Sequence, residues 1–284
     1  MKDRNLRQSF LGADSDDRFR RLRVAIIGLG GGGSHIAQQC AHVGIARYVL
    51  ADGDVVEDKN LNRLIGATAQ DVFDATPKWK VSSRLIKGIF PEAEIVVIKS
   101  RWQDEAEKLR DCDIAFGSVD GFGERAELET YCRRFLIPLI DVGMDVHALG
   151  GRFHISGQVI LSMPGSHCMR CMGFITDARL EEEARRYGAA GGRPQVVWPN
   201  GVLASTAVGL AVGLVTPWSD QIPSAYLEYD GDKHVVRPSS VMGVIANRPC
   251  PHFDGKDVGD PFFGRRQRSG KQDNENSRDF NRAA

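Results

Sequence analysis

The chain has 284 residues, 42% of them apolar and 26% charged, and its 37 basic residues are balanced by 37 acidic ones. That length exceeds a mini-protein and suits one large α/β domain or two small ones at about 100–200 residues each. Zero formal charge excludes a global field that gathers DNA or an anionic membrane.

Residues 1–22 are rich in Arg and Asp and hold no apolar run of a secretory leader, so a cytoplasmic chain is expected. Residues 23–27 form a continuous β-branched apolar run, and Gly28-Leu29-Gly30-Gly31-Gly32-Gly33-Ser34 follows at once, leading into a helical pattern through Val43. A second strand at 48–51 ends in Asp52-Gly53-Asp54 and completes a βαβ unit. The alternation continues with helices near 79–89, 103–110 and 124–135 and strands at 95–98, 113–116 and 139–142. This predicts an α/β fold, a Rossmann-like, mostly parallel sheet with helices on both faces.

Beyond about residue 150 the pattern changes to antiparallel strands at 152–159 and 225–229, the latter turning at Asp230-Gly231 into 234–236. Between them lie a polar helix at 178–186, a glycine-rich loop at 188–193 and an apolar helix at 201–215, too short and interrupted for a bilayer span. From about residue 255 charges of both signs mix with Asn and Gln without apolar periodicity, which predicts a disordered tail. The expected organisation is an N-terminal arm (1–22), one domain (23–253) and a polar tail (254–284).

Gly28-x-Gly30-x-x-Gly33 between a strand and a helix supplies a tight turn and helix N-terminal amides aimed at an anion. Asp52, at the end of the next strand, is placed to accept from a ribose hydroxyl. These glycines signal a nucleotide but do not separate a dinucleotide from ATP. Asp54, Arg63 and Lys78 bear on that choice, since a triphosphate needs concentrated positive charge and a carboxylate-held Mg²⁺. Taken singly, each also fits a solvated loop charge.

Arg7-Gln8, the glycine loop with Gly31, Asp52-x-Asp54, Asn60-Leu61-x-Arg63, Pro77-Lys78 and Val119-Asp120 with Arg125 resemble, in order and spacing, the ThiF/MoeB family, ancestral relatives of the ubiquitin-activating enzymes. The resemblance covers roughly residues 4–248. It implies an adenylyltransferase that binds ATP and Mg²⁺ together with a ubiquitin-like or sulfur-carrier protein ending in Gly-Gly. Asp52 would then hold the ribose, Asn60, Arg63 and Lys78 the triphosphate, and Asp120 the Mg²⁺. Arg7 matches an arginine that reaches the phosphates from the other protomer, which implies a homodimer. No catalytic histidine is expected, and His35 reads as a packing or capping residue.

Cys168-Met169-Arg170-Cys171 is half of a tetrahedral zinc site. The family's second Cys-x-x-Cys is replaced by Cys250-Pro251-His252, so the expectation is a structural zinc on Cys168, Cys171, Cys250 and His252, set against a metal-free loop. No cysteine lies between Met172 and Ala246, where relatives that form a thioester carry one. The acyl-adenylate is therefore expected to pass to an external thiol acceptor, a conjugating enzyme or a sulfur donor. The loop at 188–193 lies where the family threads its partner's tail, or is a plain connector. The alternatives are activation of a carboxylate on a modified tRNA base, which a neutral chain serves poorly, and a nicotinamide-dependent oxidoreductase, which leaves Arg63, Lys78 and Asp120 without a joint purpose.

Overall fold

The N-terminal βαβ unit sets the frame: β1 (Arg23–Ile27) is followed by α2 (Gly31–Val43) and β2 (Arg47–Ala51), with a short α1 (Ser15–Arg21) before them. The computed structural model describes residues 5–185, 194–219, 224–253 and 258. The glycine-rich loop at 188–193 and, Val258 apart, the polar tail at 254–284 lie outside those residues.

The chain continues through α3 (Ala69–Phe73), α4 (Lys78–Ile89), β3 (Glu94–Ile98), β4 (Ile114–Gly117), α5 (Phe122–Arg134), β5 (Leu139–Leu149), β6 (Arg152–Ser162), α6 (Asp177–Arg185), α7 (Val197–Val215), β7 (Tyr226–Asp230), β8 (Val235–Pro238) and α8 (Val241–Ile245). The strands form one sheet of order β3-β2-β1-β4-β5-β6-β7-β8. Pairing is parallel from β3 to β5 and antiparallel from β5 to β8.

The apolar run of β1 is continuous because both faces of the sheet are covered. Val24 and Ile26 pack with Ile36 and Cys40 of α2 and with Leu203 and Ala207 of α7. Ala25 and Ile27 enter the opposite cluster, which contains Leu128 and Cys132 of α5. α7 has the length and hydropathy to cross a membrane, and it packs here against α2, β5 and β6 with Leu203, Ala204, Ala207 and Ala211 buried.

Several boundaries differ from the sequence expectation. The helix expected at 103–110 is a 3-10 helix, Trp102–Leu109, interrupted by non-helical dihedrals at Glu105. α7 begins at Val197 rather than 201, because Pro199 falls in its first turn, where a missing N–H costs nothing. β5 runs seven residues past 142, since the strand does not stop at the cleft but turns back at Gly150-Gly151, both with positive φ (60° and 76°). Two residues with positive φ are what a type I′ hairpin turn requires. Part of the N-terminal arm belongs to the core of its own chain, with Leu11, Phe19 and Leu22 buried.

Candidate active site

A cleft of about 330 Å³ opens at the C-terminal ends of β1 and β4, where the chain, having gone outward to β2 and β3, returns to the other side of β1. That reversal is where open α/β sheets leave a crevice for a ligand. Gly28 turns the chain out of β1 at φ 83°, and a Cβ there would lie 2.4 Å from Ser118 O. Gly28, Gly30 and Gly31 line the cleft. Gly33 does not: a Cβ there would lie 1.9 Å from Gly28 O, so its absent side chain serves the packing of α2 on the turn. Asn200 of α7 supports the loop from behind, and a Cβ on Gly31 would lie 2.5 Å from its Nδ2.

Asp52 is fixed by two backbone donors, Leu29 N–H to Oδ2 (2.7 Å) and Asp54 N–H to Oδ1 (2.8 Å). Burial pushes its carboxyl pKa up, partly offset by the Lys78 charge. Lys78 opens α4 behind Pro77, and its ammonium donates to Asp54 Oδ2 at 2.6 Å. The lysine is the buried partner, 12% exposed against 72% for Asp54, so the cation belongs to the cleft wall and the carboxylate to its rim. Asn60 sits in a 3-10 turn, Asp58–Asn60, where its Oδ1 accepts from Glu57 N–H at 2.9 Å. The Arg63 guanidinium donates to Lys59 O and to Asn62 Oδ1 at the same rim.

Asp120, after β4, faces these cations across the cleft and accepts from Gln195 Nε2 at 3.5 Å. Arg125 reaches the cleft floor from α5 and forms a buried ion pair with Asp141. Thus Gly28, Gly30, Gly31, Asp52, Asp54, Asn60, Arg63, Lys78 and Asp120 come together around one cavity. Arg7 does not join them: it is exposed on a 3-10 helix, Leu6–Leu11, away from the cleft lining. His35 is half-buried in α2, and burial pushes its imidazole pKa down.

Sequence reasoning missed Arg101 and Trp102 after β3, Ser118 after β4, Glu124 on α5 and Asn200 on α7. Burial pushes the Glu124 carboxyl pKa up, with Arg101 opposing the shift. The available signal was positional: Arg101 and Ser118 follow the carboxyl ends of strands, which is where such crevices form.

A second constellation lies behind β6. Cys168 and Cys171 bring their Sγ atoms to 3.7 Å, Cys171 and Cys250 to 3.5 Å, and His252 Nδ1 lies 3.4 Å from both Cys168 and Cys171. All four donor atoms fall within 4.8 Å of one another. Four ligands about 2.3 Å from a tetrahedral centre have edges of about 3.8 Å, so this set fits zinc. The buried Glu129 carboxylate holds the Cys-x-x-Cys turn through Met169 N–H (2.8 Å), and His167 Nε2 meets Arg248 O at 2.7 Å, bringing in the segment that carries Cys250. The other cysteines, Cys40, Cys112 and Cys132, are buried, and burial holds the thiols of Cys40 and Cys112 up at about 12.

A model of the ThiF family matches residues 2–241. The chain belongs to the ThiF family. It is 30% identical over 209 residues to the sulfur carrier protein ThiS adenylyltransferase of Escherichia coli, covering 72% of this chain and 78% of that one. It is 29% identical over 164 residues to the SAMP-activating enzyme E1 of Haloferax volcanii, covering 57% of each chain. A third relative is the tRNA threonylcarbamoyladenosine dehydratase of Haemophilus influenzae, 30% identical over 133 residues, 46% of this chain and 50% of that protein. Among solved structures, E. coli MccB with ATP has a TM-score of 0.67 at 22% identity, over 83% of this chain and 70% of that one, which establishes likeness of fold.

Proposed function

We propose that this ThiF-family chain is an adenylyltransferase that uses ATP to activate the C-terminal carboxylate of a ubiquitin-like or sulfur-carrier protein ending in Gly-Gly. The observation that carries the reading is the single cleft in which the glycine loop and Asp52 meet Arg63, Lys78 and Asp120. A nicotinamide cofactor has no use for that concentration of charge. Relatives named for ThiS adenylylation and SAMP activation support the same substrate class.

In the reaction a carboxylate oxygen attacks the α-phosphorus of ATP. The new bond is acyl O–P, the bond broken is that between the α-phosphorus and the bridging oxygen, and pyrophosphate leaves with its electron pair. Both reactants are anions and the nucleophile is already deprotonated at neutral pH. The protein's task is therefore charge neutralisation and in-line placement rather than proton transfer. Asp52 orients the ribose, the glycine-loop amides and Asn60 take phosphate oxygens, and Lys78 and Arg63 meet the growing negative charge. Asp120 offers the hard oxygen donor that Mg²⁺ prefers, and the ion would neutralise phosphate charge when bound. Arg7, outside its own cleft, fits the resemblance's inference that it acts in the partner protomer's cleft of a homodimer. With Cys40, Cys112 and Cys132 buried and the other three clustered with His252, the acyl group passes to an external thiol, and zinc on Cys168, Cys171, Cys250 and His252 is structural.

The test is pyrophosphate release from ATP in the presence of Gly-Gly-ending carrier proteins, with AMP–carrier identified by mass. Asp120→Ala should abolish release while leaving the folded-state spectrum intact, and full activity in that variant would refute its role. The relative named for a tRNA nucleoside supports a second reading, in which the carboxylate belongs to a modified tRNA base. Release driven by tRNA and not by any carrier would select it.

A further inference from the structure

Asp120 sits in a short link, residues 118–121, between β4 and α5. Upstream the link is tied to the sheet, where Ser118 N–H donates to Ile27 O of β1 at 2.8 Å. Downstream it runs into the first turn of α5, and the leading N–H groups of any helix need partners from outside it. Ser, Thr, Asp or Asn usually supplies one from the N-cap. The N-cap here is Gly121, which has no side chain to do so.

The partner comes from another helix. Glu183 of α6 accepts from Phe122 N–H through Oε1 (3.0 Å) and from Gly123 N–H through Oε2 (2.8 Å), so each carboxylate oxygen serves one amide of α5. A Cβ on Gly121 would lie 2.9 Å from Glu183 Oε1, and glycine at the N-cap leaves room for that oxygen. A carboxylate at this end of α5 also meets the positive pole of the helix dipole. α6 is a surface helix with no buried residue. Arg179 seats it: its guanidinium lies over the rings of Phe122 and Phe174 at 5.3 and 5.7 Å and donates to Phe174 O at 2.6 Å. Glu181, two residues before Glu183, instead faces Arg185 in solvent at 3.3 Å. Glu183 does not line the cleft and has no part in the proposed reaction.

We infer that Glu183 is a positioning residue for Mg²⁺ binding: by holding the first two amides of α5 it fixes the downstream end of the link that carries Asp120. The inference rests on the adenylation reading and deepens it. One or two carboxylates together with phosphate oxygens form the usual donor set for Mg²⁺ at nucleotide sites, and Asp120 on the cleft fits that set. Arg125, further along α5, is pinned independently by its buried pair with Asp141. Loosening the cap therefore frees the link rather than the whole helix. Without Glu183 the link keeps its anchor on β1 and loses the other, and Asp120 spends less time where the ion needs it.

The test is the affinity of the full chain for ATP by titration calorimetry, with Mg²⁺ and with chelator, in the absence of any acyl donor. Glu183→Ala should weaken Mg²⁺-ATP binding about tenfold and leave ATP binding in chelator within about twofold. A merely structural cap would move both affinities together or neither. In an Asp120→Ala background the same substitution should have no further effect, because the two residues act as one unit. Loss of a cap also lowers stability, so a double variant keeps the measurement on folded protein. Gly121→Ser with Glu183→Ala puts an acceptor on the N-cap itself, in space the glutamate has vacated. It should restore both the urea midpoint and most of the Mg²⁺-ATP affinity. The inference is overturned by no loss in Glu183→Ala, by equal losses with and without Mg²⁺, or by an undiminished effect in the Asp120→Ala background. A double variant that regains the midpoint but not the affinity would also overturn it. A wild-type chain that binds no ATP would instead remove the adenylation reading itself, and one whose Mg²⁺-ATP affinity is unchanged by Asp120→Ala would remove the Mg²⁺ assignment.

Discussion

Asp52 and Asp71 are carboxylates moved in opposite directions by their surroundings. Asp52 is buried and its pKa rises; Asp71 is held well below the usual range by the Arg84 guanidinium, which bonds both of its oxygens at 2.9 and 2.7 Å, with Thr68 adding further donors. A depressed folded-state pKa contributes stability that is present above the unfolded value of about 3.9 and is lost as pH falls below it. Asp71→Asn should therefore cost about 1 kcal/mol at neutral pH, a modest figure because Arg84 is half exposed. Thermal melts of both chains should converge as pH drops below about 4. Asp52 has the reverse sign: its raised pKa makes stability decline as pH rises from about 3.9 toward the folded value. That cost accompanies a buried carboxyl already fixed by two backbone donors, at the place proposed here for the ribose. Asp52, Asn60, Arg63 and Lys78 could be picked out of the sequence because each stands within or near one short motif. Glu124 and Asn200 could not, since they reach the cleft from helices whose positions only the sheet order defines.

Among the elements, the strand–turn–helix at β1 and α2 was readable because three signals agree: a β-branched run, glycines, then helical periodicity. Its glycines separate into two kinds, which a pair of substitutions will distinguish. Gly33→Ala sets a methyl against Gly28 O and should lower the urea midpoint by an amount equivalent to about 2–3 kcal/mol. Gly30, whose Cβ would meet nothing within 4 Å, should accept alanine with less than about 0.5 kcal/mol change in stability, yet with weaker ATP binding, because the methyl occupies the cleft. The β5–β6 ladder was underestimated in the sequence for a different reason: Gly143, Gly150, Gly151 and Gly157 interrupt the alternation that marks strands, although two of them form the turn. The 3-10 helix at Trp102–Leu109 shows helical amphipathicity without α geometry, a distinction that hydrophobic period does not carry.

At the scale of the whole molecule, two proposed assemblies are open to measurement. If Arg7 completes the partner's cleft, Arg7→Ala and Asp120→Ala chains, each inactive alone, should regain activity on mixing, up to about a quarter of wild type when half the protomers pair productively; absence of rescue would place each cleft within its own chain. If zinc ties Cys168 and Cys171 to Cys250 and His252, the protein should bind about one zinc per chain, and chelation should lower its Tm because binding energy at such a site is folding energy. The parallel half of the sheet followed from the alternation of strands and helices, whereas the continuation of the same sheet from β5 into the three antiparallel strands β6, β7 and β8 required the pairing itself.

The contact between Asn200 and Gly31 also bears on how the protein is made. The two residues are about 170 positions apart, so at about 5–20 residues per second a nascent chain waits roughly 10–30 s between synthesis of the glycine loop and of the helix that supports it. During that interval β1, β2 and α2 can associate locally, but the loop lacks its backing and ATP has no finished site to stabilise. Nucleotide can therefore act as a folding ligand only after α7 has left the ribosome, and premature termination before residue 197 should yield chains whose protease sensitivity ATP does not change.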